Sequence, residues 1–167
     1  MRKTIAILCI LLLPLSGWAG KPVKKGQLAS LVSEYRGVEG VELVRLGTLA
    51  TSAIKTTVRL SAKDDPDARQ ALDLLSGIRR LTIFEFEDCE ASVKEKINNK
   101  LGRILKESDL LMEVKDGSDA MQMYGILDEK GDSVSDFVLY TPGECALICI
   151  FGKVSMKAVE KIMKEYD

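Results

Sequence analysis

Apolar positions along this chain recur at two periods, and the change from one to the other marks its elements. Leu28, Leu31, Val32 and Tyr35 fall at helical spacing, which predicts a short amphipathic helix over 27–36, closed by Gly37 and Gly40. Residues 41–46 are rich in β-formers and predict a strand. Thr48 reads as the N-cap of a second helix with Leu49, Ala53, Ile54, Thr57 and Val58 on its inner face. Asp64-Asp65-Pro66-Asp67 predicts another helix start, followed by Ala68, Ala71, Leu72 and Leu75 on one face and Gly77 just past the end. Residues 79–88 give the clearest strand: Thr82, Phe84 and Phe86 point one way, and Leu81, Ile83, Glu85 and Glu87 the other. Asp88 is placed to cap the next helix, whose stripe is Val93, Ile97, Leu101, Ile104 and Leu105.

The rest is strand-rich. Strands are predicted over 111–115, 120–128, 134–140 and 145–151, with turn signals at Asp116-Gly117, Glu129-Lys130-Gly131-Asp132 and Thr141-Pro142-Gly143. The stretch 145–151 is apolar throughout, as expected for a central strand covered on both faces. Ser155 is placed to cap a last helix with Met156, Val159, Ile162, Met163 and Tyr166 inward. The order predicts an α+β fold: a mostly antiparallel sheet with a C-terminal strand meander, and helices packed on one face.

The first residues behave differently. Met1-Arg2-Lys3 is basic, residues 4–15 are mostly apolar, and Gly17-Trp18-Ala19 offers small residues for cleavage. This is the layout of a signal peptide over 1–20, which leaves one domain over 21–167. The apolar run is short for a spanning helix. Cys9 lies inside it after Leu8, so a lipoprotein signal is not formed. The expectation is an exported chain, periplasmic or extracellular, with no membrane span once the leader is removed.

Composition narrows the chemistry. The chain has 24 basic and 25 acidic residues, and loss of Arg2 and Lys3 with the leader leaves 22 against 25. The charges are interspersed, so no nucleic-acid footprint emerges. Lys21, Lys24 and Lys25 read as a solvated start. There is no histidine, which removes Ser-His-Asp and Cys-His catalysis and His-based zinc sites.

Cys145 and Cys149 are four residues apart in a predicted strand, too far to bridge each other. Cys89 and Cys145 could meet if their strands are antiparallel neighbours; burial as small apolar side chains is the simpler expectation.

The pieces together resemble an exported bacterial family known as domain of unknown function 4252. The resemblance is carried by Tyr35-Arg36-Gly37-Val38-Glu39-Gly40-Val41, by Leu75-Ser76-Gly77-Ile78 leading into 79–88, by the hairpin of 124–128 and 136–140, and by Ile148-Cys149-Ile150-Phe151-Gly152. It implies export and this architecture. It implies no activity, cofactor or site residue.

Other constellations have ordinary readings. Glu85, Glu87, Asp88 and Glu90 gather where a strand meets a helix, and a carboxylate pair at Glu85 and Glu87 could hold a cation or act as acid and base; an exposed strand end followed by a helix start that favours acids is the simpler reading. Asp64, Asp65 and Asp67 read as capping, and Asp128, Glu129, Asp132 and Asp136 as a solvated turn. Ser52-x-x-Lys55 lacks the companion motifs of penicillin-recognising enzymes. Met112, Met121, Met123, Met156 and Met163 suit either a core or an adaptable surface. No catalytic, cofactor-binding or metal-ligating residue is assigned and no cofactor is expected. The function expected is that of a non-enzymatic envelope protein, a module binding another envelope protein or a small ligand. The alternatives are a small-molecule or lipid binder and a histidine-free carboxylate hydrolase.

Overall fold

The computed structural model describes residues 20–61, 77–116 and 119–157. The leader, the capping segment at 64–67 with its helix to Leu75, the turn at 117–118 and the final helix beyond Lys157 lie outside the described residues. The elements are α1 (Lys25–Glu34), β1 (Glu42–Leu46), α2 (Thr48–Ser61), β2 (Ile78–Glu85), α3 (Ala91–Leu105), β3 (Leu110–Asp116), β4 (Asp119–Leu127), β5 (Ser133–Thr141) and β6 (Ala146–Ser155). The strands form one sheet in the order β1-β2-β6-β5-β4-β3, and every neighbouring pair is antiparallel. The fold is therefore α+β with a C-terminal meander.

The strand order sets a task for α3. The chain leaves β2, second in the sheet, and must reach β3 at the far edge, four strand spacings or about 19 Å away. A helix of 15 residues spans about 22 Å, so α3 bridges that distance along one face. Its buried residues are Ile97, Leu101 and Leu105, one stripe at helical spacing. They share a core with Leu28, Leu31, Val32 and Tyr35 of the α1 region and with Phe84, Phe86, Val138, Tyr140, Leu147 and Cys149 from the sheet. Tyr140 donates to Asn98 Oδ1 at 2.8 Å, and burial pushes its phenol well above the ordinary value.

The opposite sheet face is apolar as well. Ile78, Met123, Val134, Phe137, Ile150 and Val154 form a second cluster, flanked by half-buried Leu81, Met121, Leu139, Ile148 and Met156. This explains the unbroken apolar run of β6: it lies between β2 and β5 and serves both clusters.

Local differences from the sequence reading have simple causes. The N-cap position of α3 is Glu90, with no side-chain cap; Asp88 sits instead in a turn closed by the Cys89 N–H on the Phe86 carbonyl. Gly40 (φ 80°) packs against that turn, where a Cβ would fall 2.4 Å from the Asp88 carbonyl. Thr48 is the first residue of α2, and Leu49, Ala53 and Ile54, expected on its inner face, are exposed instead. The strand before α3 ends at Glu85, although the Phe86 N–H still donates to the Cys145 carbonyl. Cys145 does not open β6. It takes a positive φ of 53° and closes a turn on Pro142. The β6 strand runs on to Ser155 through Gly152. The basic start is largely solvent-exposed and also paired: Lys24 with Glu107, Lys25 with Asp136 at 2.7 Å, while the Lys21 backbone N–H donates to Asp109.

The β2–β6 pair carries a bulge between Ile78 and Arg80. Two glycines meet there. A Cβ on Gly77 would lie 1.9 Å from the Lys153 carbonyl oxygen, and one on Gly152 (φ 126°) 2.1 Å from the Gly77 oxygen. The bulge thus requires two residues without side chains.

Candidate functional site

The acidic group at the strand end lies on the surface. Glu85, Glu87, Asp88 and Glu90 are all exposed. Glu85 pairs laterally with Glu42 of β1. Among the described residues no group of three or more Cys, Asp or Glu is placed to hold a metal ion. The Asp128 carboxylate organises the β4–β5 turn: it accepts the Asp132 and Ser133 N–H groups and the Ser133 hydroxyl, and the Ser133 hydroxyl bond holds its carboxyl below the usual range. Ser52 donates to the Thr48 carbonyl and Lys55 to the Ile78 carbonyl, so Ser-x-x-Lys is a helix-anchoring pair in this fold.

The three described cysteines are unbridged and buried. Cys89 donates to the Glu39 carbonyl and Cys145 to that of Pro142, and burial pushes the Cys149 thiol up to about 12. Because only the thiolate reacts, iodoacetamide at pH 8 is expected to leave Cys149 unmodified in the native protein and to alkylate it in guanidinium, as read by mass spectrometry. Native labelling would contradict this placement.

One concave feature lies between α1 and the β1–β2–β6 end of the sheet. It is an open cleft of about 240 Å³, floored by Leu28, Val32, Cys149 and Phe151 and rimmed by Arg45 and Arg80. Ser33 on α1 accepts from Arg45 Nη2 at 3.1 Å. A second hollow of about 670 Å³ adjoins it, sharing Ala29, Arg80 and Phe151 and adding Lys25, Arg79 and Asp136. The bulge after Ile78 brings the adjacent Arg79 and Arg80 to the same hollow. Lys25 lies 5.6 Å from the Phe151 ring while paired with Asp136. The chemistry offered is an apolar floor beneath guanidinium groups. Sequence reading did not single out Arg45, Arg79 or Arg80. The available signal was the Arg-Arg step beside Gly77.

A second feature is exposed apolar surface. The exposed large apolar side chains among the described residues are Val44, Leu49, Ile54, Leu110, Met112, Val114 and Leu127. Val44, Leu49 and Ile54 belong to β1 and α2 at one end of the sheet, and the others to β3 and β4 at the opposite end. Of the methionines, Met123 is core, Met121 and Met156 flank the second cluster, and Met112 is 38% exposed; Met163 lies outside the described residues.

These features define an α+β protein with a doubly apolar antiparallel sheet, an open basic-rimmed cleft and apolar sheet ends. The chain belongs to the family described as Domain of unknown function (DUF4252), whose model matches residues 35–162. No curated protein and no solved structure matches the chain. Among the described residues, no helix is long and apolar enough to cross a membrane.

Proposed function

We propose that this chain is an exported, non-enzymatic envelope protein that acts as a binding module, taking a protein partner on the apolar ends of its sheet. The observation that carries this reading is the distribution of exposed apolar side chains. Single exposed apolar residues are ordinary, but patches gathered at a sheet end mark interaction surfaces. The acidic residues that could have supported a hydrolase are all exposed to solvent. A second reading has its own support: the cleft beneath Arg45 and Arg80 suits a small anionic amphiphile, with its charged end at the guanidinium groups and its apolar part on Leu28 and Val32.

In-cell crosslinking followed by mass spectrometry tests the leading reading. The wild-type chain is expected to capture one reproducible partner, and Val44→Lys or Val114→Lys to reduce that capture about tenfold, a loss of about 1.4 kcal/mol of binding. Glu85→Gln with Glu87→Gln is expected to leave both capture and stability unchanged. Capture that is insensitive to both lysine substitutions would sink the sheet-end reading, and a folded Glu85/Glu87 variant that loses its phenotype would sink the non-catalytic one.

A further inference from the structure

The two ends of the sheet differ in what they can pair with. At one end, β1 is five residues long and alternates Leu43 and Arg45 on the α1 side with Glu42, Val44 and Leu46 on the other. Set against a second copy of itself, antiparallel about Val44, it places Arg45 opposite Leu43 and Glu42 opposite Leu46. No charge meets its opposite.

The other end, β3, behaves differently. Among the described residues it pairs only with β4. Val114 opposes Met121 and Met112 opposes Met123, on the second apolar face; Glu113 opposes Gln122 and Lys115 opposes Ala120, on the helix-bearing face. Met112 and Val114 are 38% and 44% exposed. Lys115 and Glu113 pair along the strand at 3.2 Å, and Gln122 donates to Glu113. An acidic and a basic residue two positions apart on an edge strand form a self-complementary sequence. A two-fold axis through Val114 sets Glu113 of each copy opposite Lys115 of the other.

The backbone phase agrees. Asp116 pairs with Asp119, and a pair flanking a two-residue connection is a hydrogen-bonded one. Such pairs alternate along an antiparallel ladder, so Val114 also directs its N–H and C=O toward β4. Glu113 and Lys115 direct theirs to the open edge, where the same register needs them. The bulge between Leu110 and Met112 limits the paired stretch to Met112–Asp116.

We propose that β3 is a homotypic docking edge: two copies pair β3 to β3 antiparallel about Val114, with Glu113 and Lys115 crossed between them. This rests on the protein-binding reading above and names the partner at that end as a second copy of this chain. The paired stretch is short, so the dimer belongs to the small, weak class of interfaces and grows with concentration.

The register is the testable part. Val114 faces itself across a non-hydrogen-bonded pair, about 4.5 Å between Cα atoms, within disulfide reach. Met112 lies four residues from its own copy, about 13 Å along the strand, outside it. The full-length chain carrying Val114→Cys, treated with copper-phenanthroline, is expected to form a covalent dimer seen on a non-reducing gel. Met112→Cys and the wild-type chain are expected not to. Adding Glu113→Lys to Val114→Cys sets like charges opposite one another and is expected to cut the dimer yield about fivefold; adding Lys115→Glu as well is expected to restore it. The inference is overturned if Val114→Cys stays monomeric while circular dichroism shows it folded. Stronger linkage by Glu113→Cys than by Val114→Cys also overturns it, because that marks a register centred on Glu113. Charge swaps without effect on the yield overturn it too. A monomeric Val114→Cys chain beside reproducible in-cell capture of a different protein ends this inference alone. Absence of any capture ends the reading it rests on.

Discussion

Gly152→Ala is expected to lower stability by more than about 2 kcal/mol, measured as a fall in the urea midpoint with an unchanged slope. Two penalties act together. The residue has φ 126°, a conformation that L side chains rarely adopt. Its new Cβ would also meet the Gly77 carbonyl oxygen at 2.1 Å. The obstruction is backbone, held by the Lys153 N–H donating to that same Gly77 oxygen at 3.0 Å, so no rotamer change relieves it. Gly77→Ala approaches from the other side and is expected to be at least as costly. Glycine-to-alanine exchange at Gly26, where a Cβ meets nothing within 4 Å, is the internal control and is expected to be neutral or slightly stabilising. A Gly152→Ala midpoint equal to that of wild type would show that the β2–β6 bulge is not held as described.

Phe84→Ala is expected to cost about 3–5 kcal/mol, the same range as removing other large core aromatics. Phe84 has no solvent exposure, its ring lies 5.4 Å from that of Phe86, and it belongs to the cluster that joins α1, α3 and the sheet. The cavity cannot collapse easily, because α3 is fixed at both ends by the strands it connects. Leu49→Ala removes a side chain that is 88% exposed and is expected to change stability by less than about 0.5 kcal/mol. The contrast separates the two roles of apolar residues in this chain, since Leu49 belongs to the exposed group and Phe84 to the core. Equal midpoints for the two variants would refute that division.

Much of the fold was legible because its elements carry clean periods. The stripe Val93, Ile97, Leu101, Ile104 and Leu105 identified α3, and the alternation of Thr82, Phe84 and Phe86 identified the helix-covered face of β2, with Phe86 just past its end. The apolar run 145–151 correctly pointed to a central strand. What periodicity cannot supply is the pairing order. Nothing local in the chain states that β6 inserts between β2 and β5, so whether Cys89 and Cys145 are neighbours could not be read from sequence; burial was the simpler expectation, and both are buried and unbridged. The bulge at Ile78/Arg80 was illegible for a related reason: it depends on Gly77 and Gly152, which are 75 positions apart in the chain and meet only in the sheet. With the bulge unseen, Arg79 and Arg80 could not be placed at the same hollow, and the basic rim of the cleft was missed. Gly40, Gly77 and Gly152 also lie in the stretches that carry the family resemblance. All three sit where a Cβ would strike a backbone atom, which gives that resemblance a steric meaning.

The placement of β6 also has a kinetic side. The strand occupies residues 146–155 of 167, yet it is the seam through which the β1–β2 ribbon joins the meander. A growing chain can therefore form α1, the ribbon and β3–β5 only as separate, marginal pieces, and the sheet closes only once β6 is available. Long-range closure of this kind slows folding.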